Sequence, residues 1–338
     1  MYLSAESINL KSKYETDEVR KFLERFSLKY EDVDYTVVIR ENEEIIATCS
    51  KRDNVLKCFA IDENYQGLGL SNTLVSKVTE KLNLEGKYHS FIFTKPENQY
   101  LFEGLAYKNI FTTDKVSLLE SGNKNINSSL DRIIKEYNID TNKEYAAIVM
   151  NCNPFTLGHR YIIETASKEN ENVIIFVVEE DKSVFPFKER FNLIKEGTKD
   201  LENVVVVPGG EYIISSATFP NYFLKKNDDA LKEYTKVDCN IFGKYFVPKF
   251  NIIKRYVGTE PHCEVTNTYN ETIKEVLPKY NVEIELITRK EIESDAISAS
   301  RVRYLLKQGD FESVKKLVPK TTLDFLLSEE GEMIISNL

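Results

Sequence analysis

Positive charge is the scarcer sign in this 338-residue chain: 45 Lys and Arg stand against 54 Asp and Glu, a formal net charge of −9. No global pull toward nucleic acid follows from that balance, and the acidic surplus serves solubility. Cysteine is sparse and scattered, at Cys49, Cys58, Cys152, Cys239 and Cys263. With no Cys-x-x-Cys pair and an odd total, neither a zinc ribbon nor a disulfide framework is indicated. Reduced thiols in a cytosolic protein fit best. Histidine is confined to His89, His159 and His262 without metal-type spacing, so no metal site is expected. No apolar run approaches the roughly 18 residues of a membrane span. The opening MYLSAESINLKSKYETDEV has no apolar core of a secretory signal. The expectation is a soluble, cytoplasmic protein with neither nucleic acid nor membrane as partner. Internal repeats and low-complexity blocks are missing as well.

What is present is an ordinary globular composition, 42% apolar, in a length suited to about two domains. The seam falls in ESGNKNINSS, Glu120 to Ser129, a polar stretch between strand-like KVSLL and helix-like LDRIIKEYNI. An ordinary surface loop is the competing reading. Each side carries its own strand–glycine–helix unit, so the expected domains are residues 1–128 and 129–338. In the first, an α+β half, strands lead to VLKCFAI, then the glycine turn YQGLGLS, then a helix over NTLVSKVTEKL. Leu70, Leu74, Val78 and Leu82 repeat every four residues there, and Val75 widens the stripe. In the second, YAAIVM, NVIIFVV, NVVVV, CNIFG, KRYVG and VEIELIT read as strands, most of them followed by a helical pattern. That alternation predicts an α/β domain, a parallel sheet with helices on both faces and ligands at the carboxyl ends of its strands.

The stretch NCNPFTLGHRYIIETA follows the first of these strands. On a wheel of about 100° per residue with Ile162 at zero, Ala166 falls at about 40°, His159 at about 60° and Ile163 at about 100°. His159 therefore lies over the buried stripe in the first helical turn. The helix start adds unpaired N–H donors and a positive dipole end, and Gly158 lets backbone and ligand approach closely. These are the parts of a phosphate site; a histidine packed at a helix start has the same spacing. A second stretch, SDAISASRVRYLLKQGD, has Ser298 as N-cap and Gly309 as stop. Arg301 and Arg303 flank its packing face on opposite sides. Either reaches the helix start by leaning toward it, and solvated arginines fit the pattern too. Two helix starts at the first and last strand-to-helix junctions, each with a cationic or near-cationic donor, suit a triphosphate.

Thr156-x-Gly158-His159 resembles the (His/Thr)-x-Gly-His motif of the nucleotidyltransferase superfamily, and ISASRVR resembles its Ile-Ser-Ser-Thr-x-x-Arg motif. The resemblance implies that Thr156, His159 and Arg303, rather than Arg301, carry the chemistry on the triphosphate, with Asn153, Phe155, Gly158, Ser298 and Ser300 in the nucleotide site. Ala299 departs from the usual Ser. NPFTLGHRYIIETA, EYIISSATFPNYFLK, RYVGTEP and ISASRVR, in that order, resemble the citrate lyase ligase family more closely still. That resemblance implies a Rossmann-like nucleotidyltransferase domain that uses ATP, with Mg²⁺, to activate acetate as acetyl-AMP. It further implies acetylation of the dephospho-CoA-derived thiol on the acyl carrier protein of citrate lyase, with release of AMP and pyrophosphate. Lys188 and Arg190 are two further cations toward phosphate or substrate, or else a solvated loop. Gly258-Thr259-Glu260 ends a strand as a floor for adenine or ribose, or as a plain turn. YIISSATFP, with Ser215, Ser216 and Thr218, lines an acetate or pantetheine pocket or caps a packed helix. His262 is a second-rank nucleotide candidate, and Cys152 has no base beside it. The superfamily motifs alone also permit a nucleotide adenylyltransferase of cofactor biosynthesis. A carrier-protein binding module without turnover is the third reading.

YQGLGLSNTLV resembles motif A of the GNAT acetyltransferases, where loop amides and a helix start hold the CoA pyrophosphate. Gln66, Gly67 and Gly69 match, and Ser71 departs from Gly or Ala. Asn98 and LFEGLAYK resemble the next motif. The resemblance implies a GNAT-like N-terminal domain that binds the dephospho-CoA-like arm; a docking domain with a vestigial loop is the opposing reading.

Overall fold

Strand-forming runs of β-branched and aromatic residues build two large sheets, each with its own core. The structure is a computed structural model and describes residues 3–30, 32–179, 183–213, 227–259, 264–288, 291–292 and 295–338. The chain divides into two units, Met1–Ile126 with Pro220–Glu233, and Asn127–Phe219 with Tyr234–Leu338.

The first unit holds strands β1 (Ala5–Ser7), β2 (Tyr35–Glu41), β3 (Glu44–Arg52), β4 (Val55–Ile61), β5 (His89–Thr94), β6 (Lys108–Thr112) and β7 (Ser117–Gly122), with helices α1 (Lys13–Glu24), α2 (Leu70–Leu84) and α3 (Gln99–Glu103). The sheet order is β1-β2-β3-β4-β5-β7-β6. All neighbours are antiparallel except β4 and β5, which run parallel and pair only at Val55–Phe91 and Leu56–Ile92. Their carboxyl-terminal portions are therefore not hydrogen-bonded to each other. Helix α2 buries the predicted stripe, Leu70, Leu74, Val75, Val78 and Leu82, against Val37, Ile39, Leu56, Ile92 and Leu119. Strand β7 runs through Glu120 to Gly122, the first three residues of the polar stretch assigned to the seam.

The second unit contains helix α4 (Ile126–Glu136), from its second residue, and strands β8 (Tyr145–Met150), β9 (Val173–Val177), β10 (Val204–Pro208), β11 (Ile252–Gly258) and β12 (Glu283–Ile287). Helix α5 (Leu157–Glu169) follows β8, α6 (Phe187–Gly197) follows β9, and α7 (Asn227–Ile241), which belongs to this unit from Tyr234 on, with α8 (Val247–Phe250) precedes β11. Helix α9 (Glu264–Val276) joins β11 to β12, and α10 (Ala299–Lys307), α11 (Phe311–Lys315), α12 (Lys320–Leu326) and α13 (Glu329–Ile335) complete the chain. The five strands are all parallel, in the order β10-β9-β8-β11-β12. The chain winds outward from β8 through β9 to β10, then crosses to β11 and winds the other way. Such a reversal opens a crevice at the carboxyl ends of the two central strands, where open α/β sheets take their ligands. Every residue of β9 is buried, as a strand covered on both faces requires.

One predicted strand is not a strand. CNIFG, Cys239 to Gly243, belongs to the end of α7 and the π-helical turn Phe242–Phe246 that continues it. Phe242, Phe246 and Phe250 recur every four residues, and each ring meets Phe176 of β9 edge-on at 5.9, 5.4 and 5.1 Å. The helical period brings three rings onto one residue, a packing that a strand would split between two faces. Among the described residues no helix is long and apolar enough to cross a membrane.

Candidate active site

The crevice between β8 and β11 is framed by three pieces of backbone: the loop Asn151–Thr156, the end of β11 at Gly258–Thr259, and the start of α10. Thr156 is the N-cap of α5, as extended backbone with a side-chain oxygen requires. Its hydroxyl accepts from the His159 amide at 3.3 Å. In return, His159 Nδ1 accepts from the Thr156 amide at 3.1 Å and lies 2.9 Å from the Thr156 hydroxyl. The imidazole stacks on Phe155 at 6.1 Å and 13°. His159 is only partly buried, whereas Thr156 is 1% exposed and Phe155 wholly enclosed.

The expectations for this loop change in four places. Thr156 was expected to contact the triphosphate; its hydroxyl is instead committed to the cap and to His159. Phe155 is a core ring that contributes packing. Gly158 was expected to admit a ligand. In fact a Cβ there would stand 2.9 Å from the Ile297 carbonyl and 3.4 Å from the Ile297 Cβ, so the glycine admits the segment leading into α10. The helix start is also less open than predicted. The Leu157 amide donates to the Leu317 carbonyl at 2.9 Å and the His159 amide is taken by Thr156, which leaves Gly158 as the remaining amide of that first turn.

Ser298 caps α10, accepting from the Arg301 amide at 3.1 Å, and Gly309 lies beyond its end at φ 73°. Val302 and Leu306 turn inward, Ser300 is exposed, and Arg301 and Arg303 are half-buried. Arg303 Nη1 donates to the carbonyl of Asn153, so the last helix start is tied to the first loop across 150 residues of sequence. Burial pushes the Arg303 guanidinium below the usual arginine range, and no carboxylate among the described residues offsets that cost. Asn153 also accepts from the Phe185 amide through Oδ1 at 3.0 Å.

Arg190 is corrected outright. It is wholly buried, and its guanidinium donates to the carbonyls of Phe185 at 2.9 Å, Asn151 at 2.8 Å and Val178 at 2.8 Å, and to Asn151 Oδ1 at 2.6 Å. It fastens the loop after β8 to the end of β9 and the entry of α6. Lys188 is 77% exposed, with Glu189 Oε1 at 3.7 Å. Asn151, which also donates to the Ser183 hydroxyl at 3.0 Å, went unsingled in the sequence. Its only signal there was its place directly after a buried strand. Cys152 is enclosed, and burial holds its thiol far above the ordinary range, which removes it as a nucleophile.

Gly258 and Thr259 end β11 beside the crevice. The Thr259 amide extends the ladder to the Ile287 carbonyl at 2.9 Å. Asn270 donates to the Gly258 carbonyl at 3.1 Å. A Cβ on Gly258 would lie 2.9 Å from Ile162 Cδ1, so this glycine lets α5 pack on the strand. Glu260, His262, Ser215, Ser216 and Thr218 lie outside the described residues.

In the first unit, Gln66 closes the short turn Glu63–Tyr65 after β4, and Gly67 and Gly69 have φ of 80° and 77°. Gly69 is the N-cap of α2 without a side-chain cap, which leaves that helix start to backbone groups. Ser71 is in the first turn, and Asn98 is exposed where α3 begins after β5. Both positions stand at the carboxyl ends of the two strands that are not paired there. A groove of about 690 Å³ begins within the first turn of α2, lined by Asn72, Ser76, Thr79 and Asn83 from the helix and by Tyr88 and Leu105.

Comparison with known proteins assigns both units. The family model of the citrate lyase ligase C-terminal domain matches residues 145–326, and that of the acetyltransferase (GNAT) family matches residues 3–102. The chain is 36% identical over 324 residues to the [citrate [pro-3S]-lyase] ligase of Klebsiella pneumoniae, covering 94% of each. It is 37% identical over 321 residues to the ligase of the same name from Escherichia coli K12, covering 91% of this chain and 89% of that one. Likeness to the solved ribosomal-protein-S18-alanine N-acetyltransferase of Escherichia coli is slight, with a TM-score of 0.31 at 14% identity over 36% of this chain and 94% of that one. A parallel sheet with its two motifs tied together, following a GNAT-type unit in sequence, thus has relatives that match nearly the whole chain, and the chain belongs to the citrate lyase ligase family of enzymes.

Proposed function

We propose that this chain activates acetate with ATP in the crevice between β8 and β11. The acetyl group then passes to the thiol of the dephospho-CoA-derived arm on the acyl carrier protein of citrate lyase. The observation that carries the reading is the tie between Arg303 and the Asn153 carbonyl. It sets a partly buried cation, with no carboxylate on it among the described residues, beside the loop that leads into the helix of His159, at the strand reversal. An acetate oxygen attacks the α-phosphorus, the bond to the bridging oxygen breaks, and pyrophosphate leaves with its electron pair. The thiolate then attacks the acetyl carbonyl and AMP departs, the thiol proton having gone to solvent. His159 meets the charge that grows on the α-phosphate, while Arg303 meets the β/γ end. Mg²⁺ arrives with ATP, bound chiefly through phosphate oxygens and water. Gly258 and Thr259 floor the nucleotide, with Ser298 and Ser300 at the α10 start and Lys188 at the outer rim.

The second half of the work falls to residues 1–128. Gln66, Gly67, Gly69 and Ser71 at the α2 start receive the pyrophosphate of the arm, with Asn98 beside it, and the unpaired ends of β4 and β5 admit its pantetheine. Residues 129–338 make the acetyl-AMP. Acetate-dependent exchange of labelled pyrophosphate into ATP tests the first step. Exchange that needs a nucleotide monophosphate instead, or no exchange at all, would refute it. Acetylation of the holo carrier protein, read by mass, tests the second.

A further inference from the structure

The Thr156 amide donates to His159 Nδ1 at 3.1 Å, with its hydrogen directed at the ring nitrogen. Two N–H groups do not face each other across such a distance, so Nδ1 is an acceptor and carries no hydrogen. The Thr156 hydroxyl, 2.9 Å from the same nitrogen, also donates to it, because Nδ1 has no hydrogen to give, while its oxygen accepts from the His159 amide at 3.3 Å. The ring hydrogen is left on Nε2. The stack on Phe155, 13° from parallel, and the cap at the helix start fix the plane in which Nε2 points.

We infer that Thr156 is a positioning residue that fixes His159 as the neutral Nε2–H tautomer, so that Nε2 is the ring nitrogen able to donate to phosphate. Thr156 does not touch the nucleotide. His159 acts through a hydrogen bond from neutral imidazole, and the full positive charge at the site belongs to Arg303. The inference rests on the proposed role of His159 toward phosphate. It deepens that role by naming what sets the donor: which ring nitrogen holds the hydrogen decides whether the group facing an oxyanion repels or stabilises it.

Two substitutions separate positioning from simple helix capping. Thr156→Ser keeps both the cap and the hydroxyl. Thr156→Asp keeps a good cap, but its carboxylate faces Nδ1 and draws the ring hydrogen there, taking it off Nε2. With only three histidines in the chain, selective ¹⁵N labelling gives three ring systems, and His159→Ala assigns the relevant one. The wild-type spectrum is expected to show Nε2–H for His159. Thr156→Ser should keep it, with kcat of acetate-dependent exchange within about threefold. Thr156→Asp should show Nδ1–H and lose about 10²–10³ in kcat at saturating ATP with its melting temperature held, the scale of a lost oxyanion-type donor. Nδ1–H in the wild type overturns the inference whatever the exchange assay reads. Full kcat in a folded Thr156→Asp protein also overturns it, and reduces Thr156 to a cap. Normal exchange by His159→Ala would instead overturn the proposed function of the site while leaving the tautomer spectrum intact.

Discussion

Adding one methyl group at Gly158 puts the meeting of the two motifs under direct test. The backbone there is not in the left-handed region, so alanine meets no conformational penalty, and a helix gains about 1 kcal/mol from Gly→Ala. Sterics run the other way. The new Cβ would stand 2.9 Å from the Ile297 carbonyl oxygen, 0.5 Å inside the 3.4 Å where ordinary contact begins. That neighbour is backbone, so the segment leading into α10 must move by about half an ångström, and Ser298 and Arg303 move with it. Overpacking of this kind costs about 1–3 kcal/mol, which the helical gain partly offsets. The net is a loss of about 0–2 kcal/mol, a few degrees in melting temperature. The effect on rate should be larger than the effect on stability. Misplacement by about 1 Å costs about 10²-fold, so half of that predicts roughly a tenfold drop in acetate-dependent pyrophosphate exchange at saturating ATP. Thermal unfolding and exchange, measured on the same preparation, give both numbers. A Gly158→Ala protein that melts higher than wild type and exchanges at the full rate would refute the close approach and the argument built on it.

His159→Ala should fold normally and lose about 10²–10³ in exchange rate, the scale of one oxyanion-type donor; near-normal exchange would return the ring to a packing role. Arg303→Met should abolish most exchange, and Arg303→Lys should recover little of it, because an ammonium lacks the planar fork; a fully active lysine variant would remove the guanidinium from the mechanism. Arg190→Met leaves three backbone carbonyls without their donor, at about 1–3 kcal/mol each, so unfolding in urea should show a loss of several kcal/mol, and an unchanged midpoint would contradict the clamp. A Cβ at Gly67 or Gly69 meets no atom within 4 Å, but valine is strained there at φ of 80° and 77°; the double valine variant should keep exchange and lose acetyl transfer to the holo carrier protein, and untouched transfer would remove the loop from the second step.

The parts of this molecule that were legible in sequence are those whose cause is local. The strand before the first motif, the cap at Ser298, the stop at Gly309 and the α2 stripe each depend on residues within one or two turns of chain. Thr156 as a cap for His159 was equally readable, since a hydroxyl three residues ahead is the start signal of a helix; the motif drew attention to phosphate instead. CNIFG failed for a related reason. A short apolar run does not declare its period, and the helical signal lay in the wider spacing Phe242, Phe246, Phe250, which only Phe176 makes meaningful.

What stayed illegible depends on which distant atom arrives. A glycine announces that something comes close, not what it is. At Gly158 and Gly258 the expected visitor was a nucleotide, and the observed neighbours are Ile297 and Ile162. The same holds for charge. Lys188 and Arg190 are two residues apart in an exposed-looking run, and sequence gives both the default of a solvated side chain. Arg190 escapes that default because the loop after β8, the end of β9 and the entry of α6 each turn a carbonyl toward one point, and a guanidinium has the donors to serve all three. That cation is therefore buried and holds the loop in place. The second cation on the loop, Arg303, comes from the far end of the chain and donates to the carbonyl of Asn153.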